Sequence, residues 1–176
     1  MSSVRIRPGA CDIMIWRGID VTKYVDGDVK INPNGVDIGV SEVWKINEDA
    51  EIEINGKIRS ITPRKEVIKP ENDFWILERG VYEVRIASKV TIPKNAIGLL
   101  LPRSTFNRLG IIKSETALWD SGYSGYGTQT VFVSVKKAKI HVNEPWFQLV
   151  FIDAKEPSQL YNGYYQEEKI GENRNN

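Results

Sequence analysis

The sequence predicts an all-β protein, a distorted jelly roll or β-barrel with at most short helices. Three observations carry this reading. Apolar and polar residues alternate with a period of two along several short runs, the spacing that lines one face of a strand. The same runs are rich in β-branched and aromatic residues, which fit a pleated, half-buried surface. Turn residues then recur at close intervals: Pro33-Asn34-Gly35, Pro63, Pro70, Gly80, Pro93-Lys94-Asn95, Gly122, and Asn143 to Pro145.

The elements follow in order. Residues 22–25 suit a single helical turn. Residues 46–61 alternate through Ile52, Ile54, Ile58 and Ile61, interrupted by Asn55-Gly56, a hairpin-turn pair. Residues 81–86 alternate in the same way, and Val90-Thr91-Ile92 is a β-branched run. Residues 130–135 and 146–152 read as half-buried or buried strands. Residues 104–109 form the best helix candidate, with Ser104 as its N-cap. No repeat is present. Residues 1–166 make one domain, and the polar tail 167–176 is expected to be mobile when no ligand is bound.

Composition narrows the function. A chain of 176 residues, 41% hydrophobic and 27% charged, suffices for one domain with a real core. A formal net charge of +1 argues against sustained binding to nucleic acid, yet a small anion needs only a few local donors. Cys11 is the single cysteine, which predicts a reducing, cytoplasmic setting without intrachain disulfides. His141 is the single histidine and sits between Ile140 and Val142 like a strand residue, which leaves histidine-rich zinc sites and Ser-His-Asp triads with little support. No apolar run approaches the roughly 18 residues needed to span a bilayer. Residues 1–15 carry no signal-peptide pattern.

Three stretches carry chemistry. Leu101-Pro102-Arg103-Ser104-Thr105-Phe106-Asn107-Arg108-Leu109-Gly110 sets an arginine and two hydroxyls at a helix start, donors suited to a polyphosphate. Taken alone, it reads first as a capped helix with a solvated arginine. Ala117-Leu118-Trp119-Asp120-Ser121-Gly122-Tyr123-Ser124-Gly125 holds an acid in a glycine-flanked turn, with a ring three residues on. Asp120 is then either a holder of water or an ordinary turn residue. Gln148 interrupts the apolar run Trp146 to Phe151, as a structural hydrogen-bonder or as a ligand contact.

In combination and order these stretches resemble the dUTPase and dCTP-deaminase superfamily, over residues 32–166. Asn32-Pro33-Asn34-Gly35-Val36-Asp37-Ile38 resembles its first motif, Pro102-Arg103-Ser104 its second, Leu118 to Gly125 its third and Gln148-Leu149 its fourth, with Ile92 to Asn95 as a further landmark. The resemblance implies a jelly roll or barrel of the dUTPase type, and a homotrimer whose sites draw on neighbouring subunits. For the dUTPase branch it implies that Asp120 deprotonates water for attack on the α-phosphorus of dUTP. Tyr123 would pack under the deoxyribose, and backbone of Ala117, Leu118 and Trp119 would read the uracil. Arg103, Ser104, Thr105, Arg108, Gln129, Gln148, Tyr161 and Gln166 complete the implied substrate contacts. Mg²⁺ would ride on the phosphates, touched by Asp37 only through water.

The deaminase branch needs a Glu ten residues beyond the third-motif acid, where this chain has Thr130. A threonine is no general base near neutral pH. Residues 121–143 contain no Asp or Glu, and Glu115 lies on the wrong side of the motif. Arg108-Leu109-Gly110 and the segment Tyr161-Asn162-Gly163-Tyr164-Tyr165-Gln166 nevertheless look like the deaminase branch, and the glycine-rich fifth motif of typical dUTPases is missing. The expectation is a dUTP pyrophosphatase on a deaminase-like backbone. The alternatives are a dCTP deaminase, mono- or bifunctional, and a non-catalytic nucleotide-binding regulator.

Overall fold

The computed structural model describes residues 14–52, 54–55, 58–59, 65–115, 118–155 and 157–171. Their strands are β1 (Lys30–Ile31), β2 (Val36–Ile38), β3 (Val40–Ile46), β4 (Ile54–Asn55), β5 (Ile58–Arg59), β6 (Lys65–Ile68), β7 (Phe74–Ile86), β8 (Val90–Thr91), β9 (Ala96–Pro102), β10 (Ile111–Lys113), β11 (Ser124–Gly125), β12 (Thr128–His141) and β13 (Phe147–Asp153). Two short helices, α1 (Gly18–Val21) and α2 (Ser104–Arg108), and a 3₁₀ turn at Thr22–Tyr24 complete the described elements. None of the helices is long and apolar enough to cross a membrane.

Two sheets build the domain: β1-β2-β13-β9, and β10-β12-β7-β3-β6. Every strand pair within them is antiparallel. They do not close into a barrel, so the sandwich form of the expected all-β fold is the one adopted. The alternation seen in the sequence explains the packing. On β7, Tyr82, Val84 and Ile86 point inward beside Val131 and Val133 of β12, and they join Val36, Ile38, Leu149 and Phe151 of the other sheet in one core. Each such fully buried side chain contributes roughly 1.5–3 kcal/mol relative to exposure.

Two local expectations change. Arg103, not Ser104, occupies the N-cap position of α2, and it makes no side-chain cap hydrogen bond. Ser104 is the first helical residue, because the arginine is still extended where β9 runs out. The alternating stretch 46–61 is not continuous: β3 ends at Ile46, and the Asn47 carboxamide accepts the Asp49 N–H (3.1 Å) in a local turn. Beyond it β4 and β5 pair as the hairpin pattern requires, with Gly56 itself outside the described residues. Of the tail 167–176, residues 167–171 are described: Glu168 is buried and forms a parallel bridge with Gly125.

Candidate active site

One group of predicted residues gathers where β2, β13 and β9 end side by side. Gln148 stands opposite Asp37 on one side and Leu101 on the other. Asp37 is buried, with Oδ1 accepting from Asn32 Nδ2 (2.6 Å) and Oδ2 paired with Arg103 Nε (3.0 Å). Arg103 Nη1 also reaches Glu144 Oε1 (2.8 Å) and donates to the Pro145 carbonyl (2.9 Å). This fork is therefore fixed in place, with part of its edge left to solvent. Gln148 Nε2 donates to the Asn34 carbonyl (2.6 Å). Ser104, Thr105 and Arg108 are exposed on the adjoining helix.

A second group forms around the turn 118–127. Trp119 and Gly98 of β9 exchange two backbone hydrogen bonds (2.9 Å each). Gly98 and Gly127 leave room for the indole: a Cβ on Gly127 would lie 2.7 Å from Trp119 Cζ2. Trp119 stacks on Tyr123 (centroids 5.4 Å apart, 27° between planes), and Tyr161 meets Tyr123 edge-on at 5.7 Å. Tyr123 is 4% exposed, while Asp120, three residues earlier, is exposed to solvent. The Tyr123 N–H closes the turn on the Asp120 carbonyl (3.0 Å). Gly122, at φ 87°, takes the left-handed conformation this turn needs. Ser121 Oγ anchors the turn to the Ala96 carbonyl (2.7 Å). Leu118 is 40% exposed, and Ala117 lies outside the described residues.

The two groups do not meet within one chain. Gly98 and Arg103 are five residues apart along β9, about 16 Å at the rise of an extended strand. Gln166 belongs to the second group: its Oε1 accepts the Ser124 N–H (3.1 Å) and its Nε2 donates to the Gly122 carbonyl (3.0 Å). Gln129 is buried on β12, with Nε2 donating to the Thr128 carbonyl (2.6 Å).

Two features escaped the sequence reading. Arg85, 2% exposed, lies between Glu42 Oε2 (2.7 Å) and Glu168 Oε1 (3.1 Å), over the Trp44 ring. Its place in the alternation marks it as turned away from the core, but nothing in the sequence announces two carboxylates from distant segments. The other is Glu83. It stands directly opposite Thr130 across β7 and β12, so their side chains share a face. A search along the chain finds no acid near Thr130, whereas the sheet supplies one from 47 positions upstream.

The two-sheet layout is that of a known nucleotide enzyme. It matches the crystal structure of 2′-deoxycytidine 5′-triphosphate deaminase from Agrobacterium tumefaciens with a TM-score of 0.62 at 14% identity, over 81% of this chain and 48% of that one. The present chain thus spans about half the length of that protein, and the likeness establishes the fold. The family follows from the sequence: the chain belongs to the dCTP deaminase-like family, whose model matches residues 14–154, and so to the superfamily its motifs resemble. Among its relatives, the probable deoxyuridine 5′-triphosphate nucleotidohydrolase of Methanococcoides burtonii is 33% identical over 85% of this chain and 89% of its own. The one from Halobacterium salinarum (strain ATCC 29341 / DSM 671 / R1) is 32% identical over 89% and 96%. The deoxyuridine 5′-triphosphate nucleotidohydrolase of Methanocaldococcus jannaschii is 30% identical over 78% and 87%.

Proposed function

We propose that this protein hydrolyses dUTP to dUMP and pyrophosphate. The observation that carries the reading is the turn itself, with an exposed Asp120 beside the buried Tyr123 ring. Relatives named for the same hydrolysis, aligned along most of the chain, support it. Asp120 takes a proton from water as the water oxygen bonds to the α-phosphorus. The bond from that phosphorus to the bridging oxygen breaks, and its electron pair leaves with pyrophosphate. Arg103 and Ser104 offer donors to the charge that builds on the leaving group.

Magnesium belongs to this reading as an ion carried by the triphosphate, where it neutralises charge and is held chiefly by phosphate oxygens and water. Asp37 is assigned a water-mediated role, since Asn32 and Arg103 each hold one of its two oxygens and neutralise part of its charge. The separation of the two groups along β9 supports a homotrimer in which the Arg103 cluster of one copy completes the Tyr123 turn of another. The single cysteine, Cys11, supports a cytoplasmic setting.

Glu83 favours one second reading, deamination of dCTP, because it places a titratable group beside Thr130. Incubation with dUTP or dCTP and Mg²⁺ tests both. The expected products are dUMP and pyrophosphate from dUTP, with no ammonia from dCTP above background. Ammonia released by the intact protein and abolished in Glu83→Gln would establish the deaminase reading instead. Binding of dUTP without turnover would leave a regulator.

A further inference from the structure

The turn that carries Tyr123 is also held from outside. Four backbone groups between Gly122 and Tyr126 find their partners in a segment some 42 residues downstream. Gln166 takes the Gly122 carbonyl and the Ser124 N–H. The Glu167 N–H donates to the Ser124 carbonyl (2.7 Å), and the Tyr126 N–H donates to the Glu168 carbonyl (2.9 Å). Leu160 packs so close to Gly122 that a Cβ there would stand 2.7 Å from it. Glu167 holds a left-handed backbone (φ 57°), a conformation that persists in a non-glycine residue only where its surroundings over-determine it. The surroundings here are the flanking backbone hydrogen bonds and the buried Arg85, clasped by Glu42 and Glu168, while the Lys89–Glu167 pair (2.8 Å) lies exposed beside them.

We propose that Gln166 and Glu168 are positioning residues for the hydrolysis, acting through Tyr123, with Arg85 as the fixed point against which the segment is clamped. The segment shapes the turn from behind, so the ring is held where it rejects a 2′-hydroxyl before any nucleotide arrives. The inference rests on the reading of this turn as the sugar site. It assigns the discrimination between deoxyribose and ribose in part to residues that need not touch the sugar.

The test combines two measurements on the full chain. Hydrogen exchange of peptides covering 119–127 in the ligand-free protein reports the brace, and the ratio of kcat/KM for dUTP over UTP reports its effect. Gln166→Ala and Glu168→Ala are expected to speed exchange in 119–127 and to narrow the ratio by about tenfold, the direction expected of Tyr123→Ala. Glu168→Gln, which keeps the shape but not the charge, should fall between. Lys89→Ala, which removes only an exposed pair, should change the ratio less than twofold. Unchanged exchange, or faster exchange with an unchanged ratio, would overturn the proposal. If Glu168→Ala does not fold, Gln166→Ala gives the same two readouts without touching the Arg85 pair. A ratio unaffected by Tyr123→Ala would instead remove the sugar-site reading, while exchange would still report whether the segment braces the turn.

Discussion

Asp120 is exposed at the rim of a turn in which Ser121 and Tyr123 are buried. A carboxylate in that position meets water directly, which is what a base for phosphoryl chemistry needs. Asp120→Asn keeps size and turn propensity, so the expected outcome is a normally folded protein whose dUTP turnover falls by roughly 10²-fold or more. Release of pyrophosphate measured beside circular dichroism checks it, and near-normal turnover would sink the assignment. Lys113 offers a test of stability instead. Burial on the core side of β10 lowers its pKa, against a smaller opposing effect of Glu115. The folded state therefore gives up this proton more readily than the unfolded state. The charge penalty is present in full at neutral pH and fades as the pH rises toward the ordinary lysine value. Lys113→Met should raise Tm at pH 7, by about 2–4 °C for each kcal/mol recovered, and the gain should shrink in alkaline buffer.

The turn 118–127 works as an element because Trp119 lies against glycine backbone. Gly127→Ala would bring a methyl to 2.7 Å from the indole and 3.2 Å from the Tyr123 hydroxyl. Overpacking of this kind costs about 1–3 kcal/mol. The expected outcome is a changed near-UV signal from the Trp119–Tyr123 stack together with a several-fold loss of kcat/KM, and an unchanged spectrum would refute the packing argument. The sequence made much of this element legible. Trp119, Asp120, Gly122 and Tyr123 lie within five residues, and short spacing survives the passage into three dimensions. Strands were legible for the same reason, as at 81–86, where a period of two maps directly onto a face. Contacts made by strand register were not. Glu83 beside Thr130 and Arg85 between Glu42 and Glu168 join segments whose separation along the chain carries no local signature. The cap of α2 was misplaced by one residue because Ser104 has the stronger intrinsic preference, while the run of β9 decided where extension ended.

For the whole molecule, the outer face of the five-stranded sheet leaves large apolar side chains uncovered. Ile112 and Phe132 pair across β10 and β12 at 46% and 41% exposure, and Val67 on β6 is 61% exposed. Uncovered apolar surface of this kind marks contact surfaces more often than chance would. With the candidate site divided between the two ends of β9, this supports the expectation of a trimer. Light scattering at micromolar concentration should give three times the 20.0 kDa chain mass. A monomeric mass with full turnover would contradict both the assembly and the sharing of sites.

The clamp of Arg85 by Glu168 also sets an order of events during synthesis. Ser124 leaves the ribosome 42 residues ahead of the carboxamide that supports it, a delay of about 2–8 s at ordinary elongation rates. The last strand, β13, is finished at Asp153, so both sheets can close while the turn still lacks its brace. A chain cleaved between Asp153 and Tyr161 would keep every strand of the two sheets and Asp120. By far-UV spectroscopy it would pass for the intact protein, yet it would have lost the selectivity that the final residues confer.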